Sequence, residues 1–141
     1  MPVVVERAPT PLNPELSADL PRIYTEAPGF ASPEAAAEVV RDAVAHGDTL
    51  YTGLFNGHYI AAVLIRGEGE TRHLRHMCVH PATRGRGVAE RLVAEVRRME
   101  AERGTRWLEA DFDTNQEGVK EMLMALGFIP HGTGNFRTRV E

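Results

Sequence analysis

The sequence predicts an α+β sandwich around a mixed, mostly antiparallel sheet, and three observations carry that prediction. Residues 50–55 and 59–66 are extended, apolar-rich stretches joined by Asn56-Gly57, a dipeptide suited to the positive φ values of a tight hairpin turn. Residues 33–46, 85–103 and 117–126 instead repeat apolar side chains every three or four positions, the period of a helix packed on one face. The order along the chain is strand, two helices, three antiparallel strands, helix, strand, helix and closing strands, which suits helices layered on a sheet.

Residues 3–7 read as the first strand, and the Pro-rich residues 9–14 after it cannot be regular helix throughout. A helical stretch near 15–26 follows, interrupted or bounded by Pro21. Ser32-Pro33 opens the second helix with a capping hydroxyl and a residue preset to helical φ. Ala36, Val39, Val40, Ala43 and Val44 share one face, and Gly47 stops it. After the hairpin, residues 67–70 turn the chain into a third antiparallel strand, 72–79. The long helix of about 85–103 stacks Val88, Leu92, Val96 and Met99 inward, with Gly104 as its C′ residue. Residues 106–112 alternate as a strand, the last helix covers about 117–126, Gly127 ends it, and 128–140 holds one or two closing strands.

The 141 residues, 43% hydrophobic with a formal net charge of −4, have the size and composition of one domain, 1–141. No apolar run approaches the roughly 18 residues that span a bilayer, and residues 1–6 lack the features of a secretory signal, so no membrane association and a cytoplasmic location are expected. The single cysteine, Cys78, excludes an intrachain disulfide framework and leaves no thiol cluster for structural zinc. The acidic balance argues against a nucleic-acid partner.

Against that acidic background, HPATRGRGVAERL (residues 80–92) gathers Arg84, Gly85, Arg86 and Gly87 at a strand-to-helix junction. The first turn of a helix exposes backbone N–H groups without intrahelical partners, and its peptide dipoles place about half a positive charge there. Glycines allow a diphosphate to approach that backbone, and guanidinium groups neutralise the rest of its charge. A Walker loop is excluded because Gly-Lys-Ser/Thr is missing, and the third glycine of a dinucleotide fingerprint would fall at Glu90. The physical reading is a diphosphate-bearing ligand. The alternative is an Arg/Gly-rich surface turn that merely begins an ordinary helix.

Here the chain resembles the GNAT superfamily of acetyl-CoA-dependent N-acetyltransferases. Arg84, Gly87 and Ala89 match its pyrophosphate signature, Val79 and Pro81 match the approach to that loop, and Asn115 with Leu126-Gly127-Phe128 is similar to its later motif. The resemblance spans about 49–128 and implies a GNAT-type α/β/α sandwich with a splayed central strand pair. It implies that acetyl-CoA is the cofactor, with the main chain of Met77, Cys78 and Val79 along its acetyl and pantetheine portions. Backbone groups of Arg84, Gly85, Arg86, Gly87, Val88 and Ala89 would hold the pyrophosphate, and Asn115 would meet the pantetheine arm.

Direct acetyl transfer requires a neutral amine, a polarised thioester carbonyl and a proton for the leaving thiolate. A backbone N–H near Val79 suits the second need. For the base, Glu109 lies on the strand beside the cleft, and His73 lies eleven residues before Arg84, where some histone-acetyltransferase-type members carry a carboxylate. Histidines as a class titrate near neutrality, which suits proton removal. Many members supply the thiolate proton from a tyrosine four residues before the Gly-Phe pair, but that place is Leu123, and counting from Asn115 reaches Met122. Neither has a proton to give, so catalytic competence is in question.

That departure opens a second reading. LFNGHYIAAVLI, RGRGVAERLV and GVKEMLMALGF are similar to the PanZ-like branch, whose members bind acetyl-CoA and a protein partner and promote self-cleavage of the aspartate decarboxylase proenzyme. The expected partners are therefore acetyl-CoA with an unidentified amine acceptor, or that proenzyme. His73, His76 and His80 have a metal-like spacing, but on an extended strand His73 falls on the opposite face from the other two, so no metal site is expected. Arg91, Arg97, Arg98, Arg103 and Arg106 read as a solvated face, some reaching a ligand 3′-phosphate.

Overall fold

The structure is a computed structural model that describes residues 2–27, 29–111, 119–132 and 135–140. It is an α+β fold with seven strands in one mixed sheet, β1 (Val4–Arg7), β2 (Thr49–Phe55), β3 (His58–Arg66), β4 (Thr71–Val79), β5 (Trp107–Asp111), β6 (Ile129–Pro130) and β7 (Asn135–Arg139). Their order is β1-β2-β3-β4-β5-β7-β6, and among the described residues only the β4–β5 pair is parallel. Helices α1 (Pro14–Ile23) and α2 (Pro33–Ala45) lie on one face, and α3 (Val88–Glu102) and α4 (Val119–Ala125) on the other. The buried clusters separate accordingly. Leu16, Leu20, Val40 and Val44 pack with Leu50, Leu64 and Cys78, whereas Val88, Leu92 and Val96 pack with Leu74, Val79, Leu108 and Phe136.

Local chemistry accounts for most boundaries. The Asn13 carboxamide accepts from Leu16 N at 2.8 Å and the Ser32 hydroxyl from Ala35 N at 3.0 Å, each capping a helix that continues with proline. Asn56 (φ 50) and Gly57 (φ 76) make the expected hairpin turn. Pro21, expected to break or bound α1, sits inside it. A proline there removes the bond to the carbonyl four residues back. That carbonyl, Ser17 O, accepts instead from Arg41 Nη2 at 2.7 Å, with Arg41 Nε donating to Ser17 Oγ at 2.8 Å.

Two of the arginines expected on a solvated face work inward. Arg97 donates to Leu126 O at 2.9 Å and Arg139 O at 3.1 Å, tying α3 to the end of α4 and to β7. Gly127 (φ +93) leaves room for it, because a Cβ there would lie 3.2 Å from Arg97 Nη1. Arg103 donates at 3.0 Å to Glu100, which is fully buried at the end of α3. Arg72 Nη1 (2.7 Å) and Thr105 Oγ1 (3.0 Å) also donate to Glu100, as does the Tyr51 hydroxyl. Arg91 and Arg98 remain on the surface in ion pairs with Glu95, and Arg106 pairs with Glu70.

Burial alone would raise the Glu100 carboxyl. The Tyr51 hydroxyl, Arg72, Thr105 and Arg103 outweigh it and hold the group below the usual carboxylate range. A carboxylate depressed by folding stabilises the fold above its unfolded value, and the contribution is lost as pH falls through the folded value. Glu100→Ala, which strands Arg72 in the interior, is expected to lower urea-unfolding stability by about 3–5 kcal/mol at neutral pH. Glu100→Gln should flatten the acid limb of the stability profile, leaving less stability to lose below the ordinary carboxylate range.

Candidate functional site

The parallel pairing of β4 with β5 runs from Thr71↔Trp107 to Leu74↔Ala110 and stops there, although β4 continues five residues further to Val79. At that point β4 bends. His76 and Met77 together oppose Val63 of β3, and His76 has φ 51, a left-handed value uncommon for a residue with a Cβ. The surroundings hold it: the buried Tyr24 hydroxyl donates to His76 O at 2.5 Å, and the Phe30 ring lies 5.2 Å from the imidazole. Burial, then the charges of Arg75 and Arg66, lower the His76 pKa.

The bulge reverses the in-out alternation. Leu74 and Val79 pack in the α3 cluster with Met77 against it, and Cys78 packs in the α1–α2 cluster. His73 and His76, expected on opposite faces, therefore share the α1–α2 side. His80 Nδ1 accepts from Ala82 N at 3.1 Å at the start of a 3₁₀ turn, Pro81–Thr83. Among the described residues no group of three His, Cys, Asp or Glu is arranged to hold a metal.

Beyond the bulge β4 presents main chain to the opening. His80 N donates to Ile60 O at 2.8 Å, so in an alternating ladder Val79, paired with Ala61, turns its N–H and C=O away from β3. Arg84 Nε takes that carbonyl at 3.1 Å, while its Nη1 pairs with Glu26 at 2.8 Å and its Nη2 lies 3.9 Å from Cys78 Sγ. The Arg84 side chain, expected as a counter-charge for phosphate, bridges the α1 side of the fold to the edge of β4 in this structure.

Above it, α3 begins at Val88, three residues later than the expected Gly85. Gly85 (φ 76) and Gly87 (φ 77) are both left-handed, and the N-cap, Gly87, supplies no side-chain hydrogen bond. The first bond into the helix is Arg91 N to Gly87 O at 3.0 Å. Among the described residues, the N–H groups of Gly85, Arg86, Gly87, Val88, Ala89 and Glu90 have no protein acceptor. Arg84 through Gly87 are exposed, Val88 is buried and Ala89 half-buried. A 15-residue helix thus ends in bare amides beside the opening between β4 and β5, an arrangement that binds anions.

At the root of the opening, register sets His73 beside Glu109, with Nδ1 at 3.8 Å from Oε1. Sequence spacing does not connect two other residues that meet Glu109 Oε2: His131 Nε2 at 3.7 Å and Arg137 Nε at 3.6 Å. Only the antiparallel pairing of β7 with β5 places Arg137 opposite Glu109. Leu123 is buried in the α3 cluster, so its role is packing. Asn115 lies outside the described residues.

A family model described as acetyltransferase (GNAT) domain, PanZ, matches residues 2–136. No curated protein matches the chain by sequence. Among solved structures it is similar to a GNAT-family protein from Desulfovibrio desulfuricans, with TM-score 0.81, 17% identity, and 99% of this chain and 100% of that one covered. A GNAT family acetyltransferase from Elizabethkingia anophelis with acetyl-CoA bound gives TM-score 0.71 at 13% identity, covering 97% of each chain. One from Brucella melitensis in complex with acetyl-CoA gives 0.74 at 15%, covering 99% of this chain and 89% of that one. At such identities the likeness is one of fold.

Burial raises the Cys78 thiol, against the opposing influence of Arg84. The expected outcome is alkylation by iodoacetamide at neutral pH more than tenfold slower than for an exposed cysteine, measured by mass spectrometry. Glu26→Gln, which loosens the Arg84 bridge, should change that rate.

Proposed function

Because the chain belongs to the PanZ family of GNAT acetyltransferase domains, we propose that it binds acetyl-CoA and transfers the acetyl group directly to a primary amine. The observation that carries this reading is the uncapped start of α3, where six successive N–H groups from Gly85 to Glu90 lack protein acceptors among the described residues. The pyrophosphate takes these amides, assisted by the exposed Arg86 side chain. The acetyl-CoA bound to the Elizabethkingia and Brucella relatives supports the same ligand here. The pantetheine arm runs along Met77, Cys78 and Val79 in the opening, is met by Asn115 in this reading, and displaces Arg84 from Val79 O.

In the reaction, the amine nitrogen attacks the thioester carbonyl carbon, a C–N bond forms, the C–S bond breaks and the thiolate leaves. A main-chain N–H on the open edge of β4, as at Val79, stabilises the developing oxyanion. Glu109, with His73 beside it, takes a proton from the substrate ammonium, which leaves the neutral amine that attacks. Four residues separate His73 from Met77, about 13 Å of extended strand before the bulge shortens it, so the proton crosses through water. Tyr24 and Tyr51 donate their hydroxyl protons to His76 O and Glu100, and the Tyr59 hydroxyl accepts from Asn13 Nδ2 at 3.4 Å, on the α1 side. We assign the thiolate proton to water.

The family match and the missing tyrosine acid also favour a second reading, an acetyl-CoA sensor that promotes maturation of the aspartate decarboxylase proenzyme. Turnover separates the two. Release of coenzyme A over a panel of amines supports the transferase; no release, with accelerated self-cleavage of the proenzyme, supports the sensor.

Calorimetric titration with acetyl-CoA is expected to show binding, and none at millimolar ligand would reject both readings. Gly87→Leu should weaken binding at least tenfold while the protein stays folded, since a Cβ there meets no atom closer than Glu90 Oε2 at 3.7 Å. The left-handed φ adds a strain of roughly 1–2 kcal/mol. Glu109→Gln should lower kcat by about 10²–10⁴-fold and leave acetyl-CoA affinity unchanged.

A further inference from the structure

Among the described residues, the buried cluster on the α1–α2 side draws on β2, β3 and β4 and includes none from β5, β6 or β7. At that end of the sheet, strand register lines up Ile129, Arg137, Glu109 and His73 in one row across β6, β7, β5 and β4. Trp107 and Arg139 form the next row. The Arg137 guanidinium lies over the Trp107 ring, its central carbon 4.0 Å from the ring centroid, with that of Arg139 at 5.6 Å.

The charges in this cluster are close but incompletely bonded. Glu109 has His73, His131 and Arg137 at 3.8, 3.7 and 3.6 Å, each beyond hydrogen-bonding distance. Arg137 Nε is buried with no hydrogen-bond partner among the described residues, although the side chain as a whole is 22% exposed. The sealed Nε is left to Glu109, while the terminal nitrogens make no hydrogen bond among the described residues and stay open to an acceptor. Its sign is also unlike that of the whole chain. Among the described side chains, His73, His131 and Arg137 stand around one carboxylate, Glu109, with Arg139 in the next row, in a protein of net charge −4.

We infer that this face receives an acidic group of the acceptor, so the amine acetylated is one that carries a carboxylate. The inference rests on the transferase reading and names its substrate class. The terminal nitrogens of Arg137, whose guanidinium rests over Trp107, match a carboxylate in a forked pair of hydrogen bonds. His131 and Arg139 add positive charge, and the exposed Ile129 lies beside an apolar stem. The row lies one residue from Leu74↔Ala110, where the β4–β5 pairing ends, so a carboxylate held there sets its amine a few bonds away at the mouth of the opening. A polyamine, offering only positive charge, meets repulsion at the same place.

The test compares amines with and without a carboxylate, with acetyl-CoA as donor and coenzyme A release as the readout: lysine against 1,5-diaminopentane, and leucine against 3-methylbutylamine. The expected result is kcat/KM at least tenfold higher for the partner with the additional carboxylate. Arg137→Gln should raise KM for that partner about tenfold, with little change in the KM of acetyl-CoA, and bring the ratio towards one. If that variant does not fold, the exposed Arg139→Gln should reduce the ratio in the same direction. Equal or reversed preference, with coenzyme A released, overturns this inference and leaves the transferase reading standing. Release from no amine overturns both.

Discussion

The structure depends on a helix fixed at one end and unsatisfied at the other. The C-terminal end of α3 is anchored by Glu100, buried and bonded to Arg72, Tyr51, Thr105 and Arg103, while Arg97 ties the same helix to α4 and β7. With that end immobile, the free amides of the first turn stand at a fixed place beside the opening between β4 and β5. A helix start with glycine in place of a capping side chain forgoes only about a few tenths of a kcal/mol. Here glycine occupies the N-cap, and the backbone itself stays available to an anion.

The opening has its own cause. Parallel pairing cannot follow β4 past Leu74, because the bulge at His76 and Met77 bends the strand and turns its main chain outward. Tyr24 and Phe30, both from the α1–α2 side, hold the bend. The Arg84–Glu26 pair connects that side to the loop before α3. Departure of Arg84 from Val79 O on ligand entry would therefore be felt at the end of α1, which links the cofactor site to a surface that either an acceptor or a protein partner can touch.

Much of this was legible in the sequence. The Asn56-Gly57 hairpin, the Ser32-Pro33 start, the element order and the glycine-rich entry to α3 all follow from local rules, because each depends on residues within one turn or one strand. The errors share a different origin. Pro21 is tolerated within α1 because Arg41, twenty residues later, takes over the Ser17 carbonyl. The bulge at His76 depends on tertiary contacts, and it changes which histidines share a face. Arg103 and Arg97 read as solvated because nothing local marks Glu100 or the carbonyl of Leu126 as their destination. Glu109 and His73 were visible as candidates, but Arg137 and His131 join them only through β7 pairing, which no spacing rule encodes.

The central claim concerns the amides at the start of α3, and amide-resolved NMR of the ¹⁵N-labelled protein during titration with coenzyme A tests it most directly. The account predicts that the resonances of Gly85, Arg86, Gly87, Val88, Ala89 and Glu90 shift most and gain protection from solvent exchange. If coenzyme A binds while those six resonances stay in place, the helix terminus is not the phosphate site and the account is wrong.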